Sequence, residues 1–352
     1  MNMSFIVATF FASAIAFSVS LLLGTLGELL TERAGHLNLG VEGMMLMGGS
    51  CGYVAAVRTH NLGLALLLAV LGAGFGALLY AVLTVTLRAN QNVSGLALTT
   101  FGAGLANTLG STVPNTNTPE NIAAFFKFHP LELEHTVNGI LSFFHQISRF
   151  MHIGNSSQAA FQPYHINNPV LAFINTAFLS QDIFVYLTIL LAFLMTFYLF
   201  KTKKGLALRM VGENTAAADA SGLPVTRIKY MYIIAGGMLC GLAGLYIPLV
   251  LQGTWHSDIT AGKGWIVVAL VIFVRWHPIK AIGGAFVFGA LSIVGLSIQQ
   301  FSQLSSMIFF NQYIMVMYPY ILTIVVLVFT YGRKKAWRGP SAIGSAYFRE
   351  ER

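Results

Sequence analysis

Long uncharged apolar runs constrain the fold of this chain more than any other feature. Residues 1–27 carry no charged side chain, and most later runs are long enough to cross the roughly 30 Å hydrocarbon core of a bilayer. Only 9% of the residues are charged and 56% are hydrophobic, which argues against an ordinary soluble domain. The sequence therefore predicts an all-α, polytopic membrane protein.

Nine apolar runs make up the predicted spans, so we expect about nine transmembrane helices, within a range of eight to ten. The first run has no basic leader and no convincing cleavage site, so we expect it to be a span rather than a signal peptide. The seventh run is short for a span. The predicted runs are residues 4–26, 39–57, 62–87, 93–113, 183–200, 230–251, 265–274, 281–298 and 314–331. We treat residues 1–352 as one transmembrane domain.

The distribution of lysine and arginine predicts the orientation of the spans, because cytoplasmic loops carry an excess of both. With the C-terminus inside, sixteen of the 20 basic residues fall on the cytoplasmic side, and only Arg58, Lys127, Arg149 and Lys263 fall outside. An odd number of spans then places the N-terminus outside. Residues 332–352 are expected to form a cytoplasmic tail.

Residues 114–181 interrupt the spans with polar, aromatic and histidine-bearing sequence, and we expect them to form an extracytoplasmic insertion. Within it, residues 137–150 are amphipathic and expected to lie along the outer membrane surface. The insertion's histidines lie at least six positions apart without cysteine, whereas structural zinc sites prefer tighter pairs. Basic residues are scattered between the apolar runs rather than gathered on one face. We therefore expect no metal, no cofactor and no nucleic-acid partner.

Charged residues return between the first two spans, at Glu28, Glu32, Arg33 and Glu42, which predicts an interfacial hinge. Asn38 is expected to cap the second span. Glu42 then lies in the first turns of that span, where the positive helix end favours a carboxylate. Arg33 is its expected partner. A direct gating or pathway role for Glu42 is the alternative.

An internal repeat links this region to a later part of the chain. Residues 41–44 precede an apolar run and a glycine-rich span, and residues 262–265 precede a similar pair at an offset close to 220 residues. The predicted topology runs the two copies in opposite directions, as inverted repeats of transporters do. Chance similarity between glycine-rich spans is the alternative.

Residues 201–229 form the longest predicted cytoplasmic loop. A helical stretch over residues 206–211 leads to Gly212, which we expect to allow a tight turn. Thr215 is then placed to cap a short alanine-rich helix that ends at residues 221–222, ahead of Pro224. Such a helix is suited to docking on a partner, whereas an amphipathic loop covering lipid headgroups is the ordinary alternative.

Polar side chains within spans mark a candidate substrate pathway, because polar groups are costly to place in hydrocarbon. Amide and hydroxyl groups cluster at the start of the fourth span and suit a neutral, polar substrate. Phe101, Trp255 and Trp265 are candidates to stack on a base. Hydrogen bonding between helices explains any one of the polar residues equally well. The predicted pathway residues are Asn38, Glu42, Gln91, Asn92, Ser94, Thr99 and Trp265.

Three stretches carry a resemblance to a known family: TERAGHLNLGVEGMMLMGG, GLALRMVGENTAAADASGLPVTRIKYMYIIAGGMLCGLAGLY and TAGKGWIVVALVIFVRWHPIKAIGGAFVFGA. They resemble the permease subunits of bacterial ABC importers for nucleosides and simple sugars. That superfamily includes branched-chain amino acid and ribose permeases. The similarity extends over about residues 21–331, and it implies that residues 1–352 form a single permease domain.

This resemblance implies a subunit of the cytoplasmic membrane with several partners: a second homologous permease, ATP-binding cassette subunits and an extracytoplasmic substrate-binding lipoprotein. It places the element that couples to the ATPase in the 201–229 loop. The implied coupling residues are Gly212, Glu213, Asn214, Ala218, Asp219 and Gly222. The chain has no GxxxxGK[ST] phosphate loop, so we expect a transporter subunit that is not itself an enzyme, with ATP hydrolysed by a partner.

The expected substrate is a nucleoside, with a simple sugar such as ribose or galactose second and an amino acid third. Two other classes fit the sequence less well. An ion-coupled secondary transporter needs a relay or cation site, yet Glu42 is nearly the only acidic residue within the predicted spans. A passive channel needs no coupling helix.

Overall fold

The computed structural model describes residues 3–114, 116–127, 129–150, 166, 168–298, 312–331 and 339–348. Within these residues the regular elements are helices, as the sequence predicts. They are α1 Met3–Arg33, α2 Val41–Thr59, α3 Leu62–Ala81, α4 Gln91–Gly110, α5 Glu120–Lys127, α6 Leu133–Phe150, α7 Pro169–Ile174, α8 Ile183–Lys201, α9 Lys203–Glu213, α10 Thr215–Ala220, α11 Val225–Tyr246, α12 Lys263–Phe273, α13 Pro278–Ile298 and α14 Gln312–Tyr331. Short π-helical turns extend α3, α7 and α11.

Each of the nine predicted spans coincides with one of these helices. In the described part of the chain, four helical segments are long and apolar enough to cross a membrane: Phe5–Arg33, Leu62–Thr86, Ile183–Lys201 and Val225–Gln252. By contrast, α12 has 11 residues. At about 1.5 Å per residue it covers roughly half of the hydrocarbon core. The architecture is that of a multi-pass membrane protein in which α12 is a half-length helix, and the count of nine spans stays a prediction.

The core is built from two sets of three helices, α1–α3 and α11–α13, which meet through α1 and α11. Helix α1 contacts α11, α12 and α13, while α11 contacts α1, α2 and α3. These contacts stay the same when α1, α2 and α3 are exchanged for α11, α12 and α13, which is what the predicted internal repeat requires. Small residues allow the backbones to approach closely, for example at Gly48 of α2 against Gly241 of α11.

The described part of the insertion covers one end of this core. The Asn121 side chain donates to the carbonyl oxygen of His60 at 2.6 Å, and the Thr118 N–H donates to that of Gly253 at 2.8 Å. Residues 137–150, predicted to be amphipathic, lie within α6. Of the insertion's histidines, His152 and His165 lie outside the described residues. At the opposite end of the core lie α9, α10 and residues 339–348.

Candidate functional site

The connection between α1 and α2, where the sequence predicts an interfacial hinge, is buried inside the protein. Glu28 and Asn38 are fully buried, and the first ten residues of α2 are buried as well. The Asn38 N–H donates to Oε1 of Glu28 at 3.1 Å, so Asn38 lies beside a residue well before the end of α1. The chain therefore turns back along α1, and α2 begins within the protein.

Asn38 does not cap α2 in the expected way. The N-cap residue is Gly40, which makes no side-chain cap. The Asn38 Oδ1 instead accepts the N–H of Gly40 at 2.9 Å, and its amide nitrogen lies 3.5 Å from the Met44 sulfur. Asn38 thus stabilises the turn that precedes the helix.

Glu42 joins the N-termini of α2 and α12. Its Oε1 accepts the Thr260 hydroxyl at 2.5 Å and the Gly262 N–H at 2.9 Å, and its Oε2 accepts the Gly264 N–H at 2.5 Å. The positive ends of two helices converge on one carboxylate, which favours its negative charge. Both oxygens are engaged within the protein, which is the geometry of a structural role.

Arg33, the partner expected for Glu42, lies at a different junction. Its guanidinium donates to the carbonyl oxygen of Trp276 at 2.9 Å and lies 5.8 Å from the ring centroid of Phe200. The Trp276 indole N–H donates to Glu32. The predicted Arg33–Glu42 pair is therefore wrong. Glu42 binds the start of α12, whereas Glu32 and Arg33 bind Trp276 in the connection that follows the end of α12.

Two of the predicted pathway residues contact the buried α1–α2 connection. The Gln91 Oε1 accepts the Leu37 N–H at 2.8 Å, and the Thr99 hydroxyl donates to the Leu39 carbonyl oxygen at 3.0 Å. Ser94 is buried on the same helix. These contacts fasten α4 to the connection between α1 and α2.

The opposite half of α4 is exposed and carries polar side chains. Asn92, Thr100, Asn107 and Thr108 are all exposed, and Phe101 on the same half is 46% exposed. Polar side chains in a membrane-spanning helix face a cavity or another helix rather than lipid. This half of α4, which we call the open face of α4, therefore suits a contact with a second membrane subunit or with substrate.

The remaining aromatic candidates are placed differently. Trp255 is buried, with its ring centroid 6.0 Å from that of Tyr53. Trp265 lies half-buried in the first turn of α12, one residue after the glycine that binds Glu42. Of the three, Phe101 is the one on the open face of α4.

The predicted coupling loop folds into α9 and α10, close to the boundaries expected from the sequence. Asn214, rather than Thr215, caps α10: its Oδ1 accepts the Ala217 N–H at 2.9 Å. The Thr215 hydroxyl donates to the carbonyl oxygen of Val211. Helix α10 ends at Ala220 with Ser221 as its C-cap, and Gly222 comes next with a φ of 81°. That left-handed angle is the one that favours glycine.

Gly212 does not form the tight turn expected of it. It lies within α9, and a Cβ at this position would overlap the carbonyl oxygen of Arg33. Glycine is required here because α9 packs directly against the end of α1. Of the other coupling candidates, Glu213 and Asn214 are exposed, Asp219 is half-buried and Ala218 is buried.

The C-terminal segment 339–348 covers this loop, which sequence reasoning missed. The Ala342 N–H donates to the carbonyl oxygen of Gly212 at 2.9 Å. The Ser341 hydroxyl lies 3.3 Å from Oε2 of Glu213, and the Tyr347 hydroxyl donates to Oδ2 of Asp219 at 2.8 Å. Both carboxylates expected to contact an ATPase thus have partners within the chain. The segment carries no apolar periodicity that would have signalled packing.

Comparisons with known proteins agree on one class. The family described as the permease component of branched-chain amino acid transport systems matches residues 10–330. The guanosine ABC transporter permease protein NupQ of Bacillus subtilis is 30% identical over 97% of this chain and 96% of its own. The nucleoside ABC transporter permease protein NupC of Lactococcus lactis is 29% identical over the same shares.

A sugar relative is equally similar. TsgC13 of Haloferax volcanii, whose name assigns it provisionally to glucose ABC transport as a permease, is 33% identical over 99% of both chains. No solved structure gives a significant match.

Proposed function

Because the chain belongs to the family of permease components of branched-chain amino acid transport systems, we propose that it is the membrane-spanning subunit of an ATP-driven ABC importer for a nucleoside. The observation that carries this proposal is the similarity, over nearly the whole of both chains, to permeases named for guanosine and nucleoside transport. A simple sugar is the alternative substrate, supported by the glucose-named relative.

The open face of α4 supports a second permease as partner. The exposed amide groups of Asn92 and Asn107 are costly against lipid, and a second subunit facing them would enclose them in a pathway between the two chains. Amide and hydroxyl groups hydrogen-bond neutral hydroxyls and base edges, and the exposed Phe101 ring offers a stacking surface. A purine fits this combination better than a sugar does, because it presents a flat aromatic face.

The different residues at the two ends of the core support an orientation of the subunit in the membrane. Most of the basic residues that the structure describes lie at the end with α9, α10 and residues 339–348, so we place that end in the cytoplasm. There the exposed Glu213, Asn214 and Gly222 would contact an ATP-binding cassette subunit that hydrolyses ATP. The insertion at the other end would face the substrate-binding lipoprotein.

The test is ATP-dependent uptake by proteoliposomes that contain this chain with its partner subunits. We expect uptake of labelled guanosine that unlabelled ribose and glucose do not compete away. Phe101→Ala should lower that uptake while the complex still assembles, and Phe197→Ala, a change at an exposed ring of α8, is the matched control. Uptake of glucose but not guanosine would establish the sugar alternative, and uptake without ATP would reject an ABC importer.

A further inference from the structure

A cavity of about 700 Å³ lies at the end of the core that carries α9 and α10. It opens between the π-helical turn after α3, the connection from α10 to α11, and the C-terminal segment 339–348. Its lining includes His36, Arg88, Asp219, Arg227 and Lys229. A cavity of this size holds a small organic molecule rather than a single ion. The open face of α4 is a separate surface.

Lys229 contributes a buried charge to the lining of this cavity. The side chain is 3% exposed. Among the described residues it forms no hydrogen bond or ion pair, although buried lysines are normally paired. His36, 1% exposed, lies beside it in the lining. A buried ammonium group that faces a cavity and has no partner among the described residues requires an anion or water that those residues do not supply.

Two arginines add positive charge at the rim. Arg88 and Arg227 are both exposed and line the same cavity. Arg88 is held in place by the ring of Phe348, whose centroid lies 4.6 Å from its Cζ. The one acidic residue in the lining, Asp219, already accepts the Tyr347 hydroxyl. The cavity therefore presents three cationic groups against one engaged carboxylate.

We propose that this cavity binds a phosphate-bearing anion. Arginine and lysine are the side chains that recognise phosphate, arginine through paired N–H donors and lysine as a compact charge. Lys229 contributes a buried cation to the lining and the two arginines contribute exposed ones. The phosphate belongs either to a soluble organic phosphate or to the headgroup of an anionic phospholipid. Asp219 and Gly222 line the same cavity, so an occupant would also contact the proposed coupling loop. The coupling role of that loop rests on the proposed function, whereas the binding of an anion does not.

The test measures binding to the full chain alone, in a detergent with an uncharged headgroup, using pyrophosphate and AMP as soluble probes. Lys229→Met removes the buried charge and keeps the length of the side chain. We expect it to raise the Kd of the probe that binds roughly tenfold or more. Arg227→Gln, at the exposed rim, should raise it about threefold. Lys280→Met makes the same change at an exposed lysine outside the cavity and should leave binding unchanged.

A second arm separates the two sources of phosphate. The chain is placed in nanodiscs of phosphatidylcholine with or without phosphatidylglycerol, and lipids retained after extraction are counted by native mass spectrometry. A headgroup site predicts phosphatidylglycerol retention that Lys229→Met and Arg227→Gln reduce; a soluble-phosphate site predicts probe binding that phosphatidylglycerol does not displace. If Lys229→Met fails to fold, the binding measured for Arg227→Gln tests the proposal on its own. The proposal is overturned if neither probe binding nor lipid retention changes in the variants that fold.

Discussion

The Gly264 N–H donates to Oε2 of Glu42 at 2.5 Å, across 222 residues of chain. This contact ties the first turn of α2 to the first turn of α12, the two places where the sequence predicts the starts of a repeat. A side chain at Gly264 would overlap the backbone of Glu42, so the two helix ends touch directly. The carboxylate is what allows two positive helix ends to meet inside the protein.

Glu42→Ala should therefore destabilise the protein strongly. It removes the acceptor for one hydroxyl and two backbone N–H groups and leaves those donors buried, a loss of about 3 kcal/mol or more. Glu42→Gln keeps one acceptor oxygen and should lie between the alanine variant and the parent. Thermal unfolding of the purified variants measures this order of stability, and Glu120→Ala, a change at an exposed helix start, is the control. Equal stability of all variants would show that the contact is not structural.

Gly212→Val should lower stability, because α9 must move away from Arg33 to admit any side chain. Gly212 lies outside the predicted spans, so its sequence position alone would predict near-normal insertion and expression, and an expression measurement distinguishes the two expectations. Gly222→Ala is the matched comparison. Its Cβ would meet no atom within 4 Å, and only the left-handed backbone angle disfavours it, by about 1 kcal/mol. If Gly212→Val expresses and unfolds like the parent, close packing is not what requires glycine there.

Glu213→Lys should weaken association with the ATPase or uncouple hydrolysis from uptake. The substitution reverses an exposed charge in the proposed contact and leaves the membrane core untouched. Co-purified ATPase, ATP turnover and uptake are measured together, beside Lys203→Ala as a surface control. Should all three quantities remain at the parental level, the loop is not the coupling element.

Tyr347→Phe tests whether the C-terminal segment positions that loop. It removes the donor to Asp219 and keeps the ring, so we expect ATP turnover to become less dependent on substrate while the ATPase still co-purifies. Tyr318→Phe on α14 makes the same change away from the loop and serves as control. Unchanged coupling in Tyr347→Phe would assign the segment a packing role alone.

Asn92→Ala and Thr99→Ala should behave differently, although the sequence places both in the pathway. Asn92 is on the open face of α4, so its loss should lower uptake several-fold with normal stability. The Thr99 hydroxyl binds the Leu39 carbonyl oxygen, so its loss should cost about 1 kcal/mol in stability. Uptake and thermal unfolding of both variants are compared. Normal uptake in both variants would show that this part of α4 serves helix packing and not the substrate pathway.

The sequence by itself determined the elements that depend on local chemistry. Uninterrupted apolar runs specify membrane helices because backbone polar groups must be satisfied within the segment, and all nine runs are helical. The helix in the 201–229 loop was predictable for a similar reason: its alanine-rich stretch favours helix, and Gly222 follows its end with a backbone angle available to glycine. The motifs around residues 32–49 were distinctive enough to indicate the family.

Only the tertiary structure decided which polar groups meet. Glu42 finds Thr260 and Gly262 at separations of 218 and 220 residues, and no local pattern identifies a partner at that distance. Arg33 is the nearest basic residue in sequence, yet it binds Trp276 because α12 ends beside α1. The packing of residues 339–348 over Glu213, and the cavity that leaves Lys229 buried, likewise arise from segments brought together by folding. The sequence determines which side chains need a partner, and the packing of the helices determines which partner each of them contacts.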